Sequence, residues 1–150
     1  MTTRLIAAVL VTDPDNGRLL ILRRSSHLDF APDEWDVPSG KGEPREPITA
    51  TAVRELKEET GVVVAETDLR LVHVVHGCWG AEAPGMFMAL VFHTDQWSGT
   101  PRNAEPHKHD TIAWVPPDDL PRPFTRTTLA AVKRYLDGGL ILSLDGWPEG

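Results

Sequence analysis

Glu55, Glu58 and Glu59 crowd three carboxylates into five residues near the end of a segment that reads as helix. At about 100° per residue, Glu55 and Glu59 lie about 40° apart and Glu55 and Glu58 about 60°, so all three emerge on one side. The helix macrodipole disfavours carboxylates there by about 0.3–1 kcal/mol each at exposed sites, and a sequence tuned for stability would carry Lys or Arg instead. The plain reading is a solvated acidic face, moderated by Lys57 and by Arg54, which reaches Glu58 at i+4. A local rule broken three times points instead to a site that takes its stability from a bound ion. Carboxylate oxygens are hard ligands suited to Mg²⁺, with Mn²⁺ as the alternative, and no His/Cys spacing makes a zinc site.

The elements that must hold these groups can be read from pattern. Proline at a first helical position, an apolar stripe of Ile48, Ala52, Val53 and Leu56, and Gly61 as a terminator predict a helix over 47–60. Upstream, apolar runs over 5–12 and 18–24 flank a turn cluster containing Asn16-Gly17, which predicts an antiparallel hairpin. A loop over 25–34, a short extended piece over 35–37 stopped by Pro38, and a charged, Gly-containing loop over 39–46 lead into the helix. Strands are predicted over 69–76, 86–94 and 111–115. The second of these is almost wholly apolar, as a central strand covered on both faces should be. Six prolines between Gln96 and Phe124 exclude a long helix there. A second helix is predicted over 125–137, ended by Gly138-Gly139, and the tail beyond it is left unassigned. Several strands with two helices far apart in sequence predict an α/β fold, a three-layer α/β/α sandwich around a mixed sheet. One domain spanning 1–150 is expected, with no repeat or linker.

Gly40, Glu46, Arg54-Glu55-Leu56, Glu58-Glu59 and Gly61-Val62 together resemble the Nudix box GX5EX7REUXEEXGU, with U a bulky aliphatic, at every fixed position. The chain is thereby similar to MutT-like Nudix hydrolases, and the strand order read above extends the resemblance over essentially its whole length. The resemblance implies a loop-helix-loop that holds divalent metal against a pyrophosphate while water attacks phosphorus. It implies Glu55, Glu58, Glu59 and the Ser39 carbonyl as metal ligands, with one of the glutamates taking the water's proton. Arg54 would orient the carboxylates and Glu46 would contribute a structural ion pair. At position 39 the family usually has glycine, and at Gly42 a larger residue is common, so this loop departs from the family's pattern. Glu105-Pro106-His107-Lys108 resembles an EPxK segment of members acting on nucleoside triphosphates, which implies Glu105 as a ligand or base from outside the box.

Arg23 and Arg24 end the second strand, where alternation sends them to opposite faces. At most one of the two is expected to face phosphate, with Arg23 preferred. Phe30, Trp79 and Phe124, all in predicted loops, are the candidates for stacking on a nucleobase. Trp35, Phe87, Phe92 and Trp114 read as core, and His73 and His76 as satisfied strand histidines. The resemblance makes a nucleoside triphosphate, canonical or oxidised, the leading substrate, split into monophosphate and pyrophosphate. The alternatives are a nucleotide sugar, ADP-ribose or another linked nucleoside diphosphate, and a non-catalytic nucleotide sensor. The proline and tyrosine that mark the ADP-ribose and diadenosine branches downstream of the box are replaced by Gly77-Cys78-Trp79-Gly80, and the one tyrosine is Tyr135.

With 150 residues, 41% hydrophobic and 25% charged, the chain belongs among ordinary globular domains. A net charge of −7 disfavours nucleic acid as a partner and requires a cation between protein carboxylates and any phosphate substrate. The longest apolar run, over 5–11, is too short to span a membrane and lacks the marks of a secretory signal. One cysteine, Cys78, makes no internal disulfide, in keeping with a cytoplasmic protein. Small-molecule nucleotides are the expected partners. Homodimers are common among relatives, although no interface can be read from this sequence.

Overall fold

The computed structural model describes residues 3–78, 85–139 and 141–147. Its strands are β1 (Arg4–Val11), β2 (Leu19–Arg24), β3 (Trp35–Asp36), β4 (Ser39–Lys41), β5 (Arg70–Cys78), β6 (Met86–Thr94), β7 (His109–Val115) and β8 (Leu142–Asp145). Two helices, α1 (Ile48–Thr60) and α2 (Arg126–Asp137), complete it. A five-stranded mixed sheet runs β4-β1-β6-β5-β8, with β1/β6 and β5/β8 parallel, and a three-stranded antiparallel sheet runs β3-β2-β7.

Alternation along β1 builds the layers. Ala7, Val9 and Val11 pack with Ala52 and Leu56 of α1, whereas Ala8 and Leu10 pack with Ala131 and Val132 of α2. β2 repeats the division, with Leu20 in the first cluster and Leu19 and Ile21 in the second. Strands buried on both faces explain why these runs are continuously apolar in sequence. The predicted central strand 86–94 is β6, seated between β1 and β5.

Two expectations are corrected, and one unassigned segment gains a place. β1 and β2 do not form a hairpin ladder; the backbone bridge beside the turn is Thr12–Leu19, where the Asp13 N–H donates to the Arg18 carbonyl at 2.9 Å. A strand has two edges, and those of β1 are taken by β4 and β6 while those of β2 are taken by β3 and β7. The segment 39–46 is not wholly loop, because Ser39–Lys41 pairs antiparallel with β1 from Ala8 to Ile6. The unassigned tail supplies β8 beside β5, tied to α2 by the Arg126–Asp145 ion pair at 2.9 Å.

Helix α1 begins after Pro47 and ends at Gly61, whose φ of +74° is the left-handed conformation glycine adopts without strain. Its apolar stripe grips the sheet and thereby fixes where its acidic side points. Among the described residues, no helix is long and apolar enough to cross a membrane.

Candidate active site

Arg54 organises the acidic end of α1. Its guanidinium donates to Glu46 at 2.7 and 3.0 Å, to Glu55 at 2.9 Å, to Glu58 at 3.3 Å and to the Lys41 carbonyl at 3.0 Å. Glu46 also accepts the Thr51 hydroxyl at 2.6 Å and the Glu43 N–H at 3.1 Å. The Arg54 and Thr51 hydrogen bonds hold the Glu46 carboxyl down at about 2. Glu46 is thus an ionised anchor at neutral pH, and the remaining donors of Arg54 reach the two box carboxylates and the Lys41 carbonyl.

Glu55 explains the glycine that opens the motif. A Cβ on Gly40 would fall on the Glu55 carboxyl group, so β4 and α1 can approach this closely only with glycine there. Burial raises the Glu55 carboxyl above its ordinary value, opposed by Arg54. Glu58 is the exposed member of the trio.

Glu59 is buried and held from two sides. One oxygen accepts the Ser39 N–H at 2.7 Å, and the other lies 3.2 Å from His109 Nε2. Burial pushes its carboxyl well above the ordinary range, against the Ser39 hydrogen bond, with further repulsion from Glu55, Asp36 and Glu105. Burial also pushes the His109 imidazole down to about 4.

Two backbone bonds bring Glu105 to this place: the Ala104 N–H donates to the Glu59 carbonyl at 3.0 Å and the Arg102 N–H to the Thr60 carbonyl at 2.9 Å. The Glu105 Oε1 is buried with no partner in the described structure, while Oε2 lies 3.4 Å from Lys108 Nζ. One ligand atom each from Glu59, Glu105 and His109 lie within 4.8 Å of one another. A buried carboxylate oxygen without a partner, set beside a second desolvated carboxyl group, fits a divalent cation that takes chiefly oxygen donors.

A cavity of about 280 Å³ opens on the far side of the Ser39-Gly40 backbone. Arg4, Arg24 and Lys41 bring positive charge to it, Phe30 and Phe87 supply aromatic walls, and the buried polar groups Asp36, Thr125, Thr127 and Thr128 line it. The Arg24 guanidinium lies 5.4 Å over the Phe30 ring, and its Nε donates to the Phe30 carbonyl at 3.0 Å. The preference for Arg23 is reversed. Arg23 makes a two-pronged ion pair with Asp110 at 2.9 and 3.0 Å, and it is Arg24 that lines the cavity. Phe124, expected in a loop near substrate, packs instead into the α2-side core at 7% exposure. Trp79 lies outside the described residues. His73 is buried, with Nε2 2.9 Å from the Ser143 hydroxyl, and His76 packs against Trp147.

Sequence reasoning missed Asp36, His109, Arg4, Lys41 and Thr125. Asp36 left one trace, an acid between Trp35 and Val37 in an extended piece; the others sit in patterns that strand ends, charge runs and helix starts share.

Residues 2–136 match the NUDIX domain. The chain belongs to the NUDIX family. Nudix hydrolases act on nucleoside diphosphate-linked moieties and generally use a divalent metal, and this chain is a hydrolase of that family. A CTP pyrophosphohydrolase of Escherichia coli K12 is 28% identical over 115 residues, covering 76% of each chain. The crystal structure of a MutT NUDIX hydrolase from Burkholderia pseudomallei superposes with a TM-score of 0.78 at 28% identity, over 89% of this chain and 98% of that one. A MutT protein from Methanosarcina mazei Go1 shares the fold with a TM-score of 0.76 at 20% identity, over 91% and 94% of the two chains. The α/β/α sandwich expected from the sequence is the Nudix fold.

Proposed function

We propose that this Nudix hydrolase cleaves nucleoside triphosphates to nucleoside monophosphate and pyrophosphate in a Mg²⁺-dependent reaction, acting on small nucleotides in the cytoplasm. The observation that carries this reading is the shared wall at Ser39 and Gly40. Their backbone lines the cavity on one side and touches Glu59 and Glu55 on the other. A base and sugar in the cavity would therefore lay their phosphates along the acidic cluster. A cavity of about 280 Å³ lies at the small end of the range of about 300–1,000 Å³ usual for ligand pockets, which suits one heterocycle. The kinship to a CTP pyrophosphohydrolase agrees with this substrate class.

Glu55, Glu58, Glu59, Glu105 and the Ser39 carbonyl are the groups we assign to the metal. The bound cation would neutralise the phosphate oxygens and lower the barrier to attack by water. Arg54 keeps Glu55 and Glu58 aligned, and Ser39 with His109 fixes Glu59. We assign to the Glu105 Oε1, buried without a partner among the described residues, the role of accepting the proton of the attacking water. Arg4, Arg24 and Lys41 neutralise phosphate charge at the mouth of the cavity, which a chain of net charge −7 must do locally.

The test is a substrate panel in Mg²⁺ with products identified by mass: canonical and oxidised nucleoside triphosphates, ADP-ribose and nucleotide sugars. Pyrophosphate and monophosphate from the triphosphates are expected. Cleavage confined to the linked diphosphates would overturn the triphosphate reading. Nucleotide binding without turnover of any compound would make the protein a sensor.

A further inference from the structure

A glycine one strand away from the cavity governs how much room it has. Gly77 lies inside β5, where glycine weakens a strand and marks the close approach of another group. Its φ is not positive, so conformation does not call for glycine here; space does. β5 and β6 pair Gly77 with Phe87, and a Cβ on Gly77 would fall on the Phe87 ring at Cε1, Cζ and Cε2. The ring therefore leans toward β5 and lies over the bare Gly77 backbone. It is buried there with Val75 and Ala89, and Ile6 packs against the three.

On its other side β6 pairs with β1, which sets Arg4 opposite Phe87. Arg4, Ile6 and Ala8 of β1 line the cavity together with Phe87 and Ala89. Phe87 thus stands between Gly77 and the open volume over β1, and a ring pushed off Gly77 turns toward that volume. We infer that Gly77 sets the width of the base site: by taking the Phe87 ring over its own backbone, it holds the ring out of the cavity and leaves room for a two-ring base as well as a one-ring base. Gly77 acts through Phe87 and determines specificity without touching substrate. A side chain at position 77 narrows the cavity, and this costs a purine more than a pyrimidine because the fused rings reach further. The rival account gives the pair to the sheet alone, the ring shielding a bare glycine across the strands. That account moves stability and leaves base preference where it was. The inference rests on the reading of the cavity as the base site of a nucleotide hydrolase.

Calorimetric titration with CMP and AMP in Mg²⁺, alongside thermal melts and turnover of CTP and ATP, tests it. In Gly77→Ala the affinity for AMP should fall by at least about tenfold, the scale on which overpacking acts, and that for CMP by much less. Leucine ends at its δ carbons and lacks the ring atoms that a Cβ at position 77 would meet. Gly77→Ala combined with Phe87→Leu should therefore return the AMP-to-CMP ratio to near its native value, a coupling that two independent structural defects would not show. A lowered melting temperature with an unchanged ratio in folded Gly77→Ala would overturn the inference. So would a double variant that folds without restoring the ratio, or absence of binding of both nucleotides by the native protein. Should Gly77→Ala fail to fold, Phe87→Trp carries the same prediction, since its second ring outgrows the space over Gly77: AMP should weaken more than CMP, and equal weakening would overturn the inference. Failure of the hydrolase reading looks different: the ratio shifts in binding as stated while neither triphosphate is turned over.

Discussion

Asp36 and Glu46 are two carboxyls that protein contacts have moved in opposite directions, and the pH dependence of stability should show both. Glu46 is held down to about 2 by Arg54 and Thr51, from an ordinary value of 4.5. Its contribution is therefore present above pH 4.5 and lost as pH falls toward 2. Asp36 is pushed up to about 6 by burial, from an ordinary value of 3.8. Its neutral form is favoured in the folded state, so its contribution is complete below pH 3.8 and lost as pH rises through about 6. Asp36→Asn removes that loss. Thermal melts of the variant against the native protein should show it more stable at pH 7, with the gap closing between pH 6 and pH 4; a gap independent of pH would contradict the burial argument. The residue types of the acidic cluster were legible because motif spacing on one helix is a local property. Asp36 and His109 were not, since their burial is created by segments distant in sequence, α2 for Asp36 and the end of α1 for His109.

Helix α1 and strand β4 form one device. The helix carries acids at the end where its dipole disfavours them, and β4 presents the one residue type that lets Glu55 lie against its backbone. Gly40→Ala should leave the core intact, because the clash is with a side chain end, yet it must displace the Glu55 carboxyl. Misplacement on the order of 1 Å can cost about a hundredfold in rate, so steady-state turnover should fall by about that factor with little change in melting temperature. Near-native turnover would show that Glu55 need not occupy this position. The sequence announced α1 and β6 almost to the residue, for their apolar periodicity is complete within each segment. It misjudged β1 against β2, because a turn signal says where a chain reverses and not whether the two arms keep each other as partners. It missed β4 and β8, strands of three and four residues whose existence depends on the free edges of β1 and β5.

The whole molecule brings two covered clusters and an acidic surface to one purpose: a rigid sheet that holds a cavity against a set of carboxylates. A cation that binds only the folded state must stabilise it, by about 2.7 kcal/mol at a concentration a hundred times its dissociation constant. Mg²⁺ should raise the melting temperature of the native protein and raise it less in Glu59→Gln and Glu105→Gln; identical shifts in all three would remove these two groups from the cation site. The central claim is that the carboxylates of α1 hydrolyse a nucleotide seated in the adjoining cavity. Glu58 is the residue with which to test it, since half of its side chain is exposed and its loss leaves the core untouched. The decisive measurement is the product mixture from nucleoside triphosphate and Mg²⁺, resolved by mass, for the native protein, for native protein with EDTA, and for folded Glu58→Gln. Monophosphate and pyrophosphate should form with the native protein and Mg²⁺ and be nearly lost in the other two. Undiminished product formation by Glu58→Gln would contradict the account.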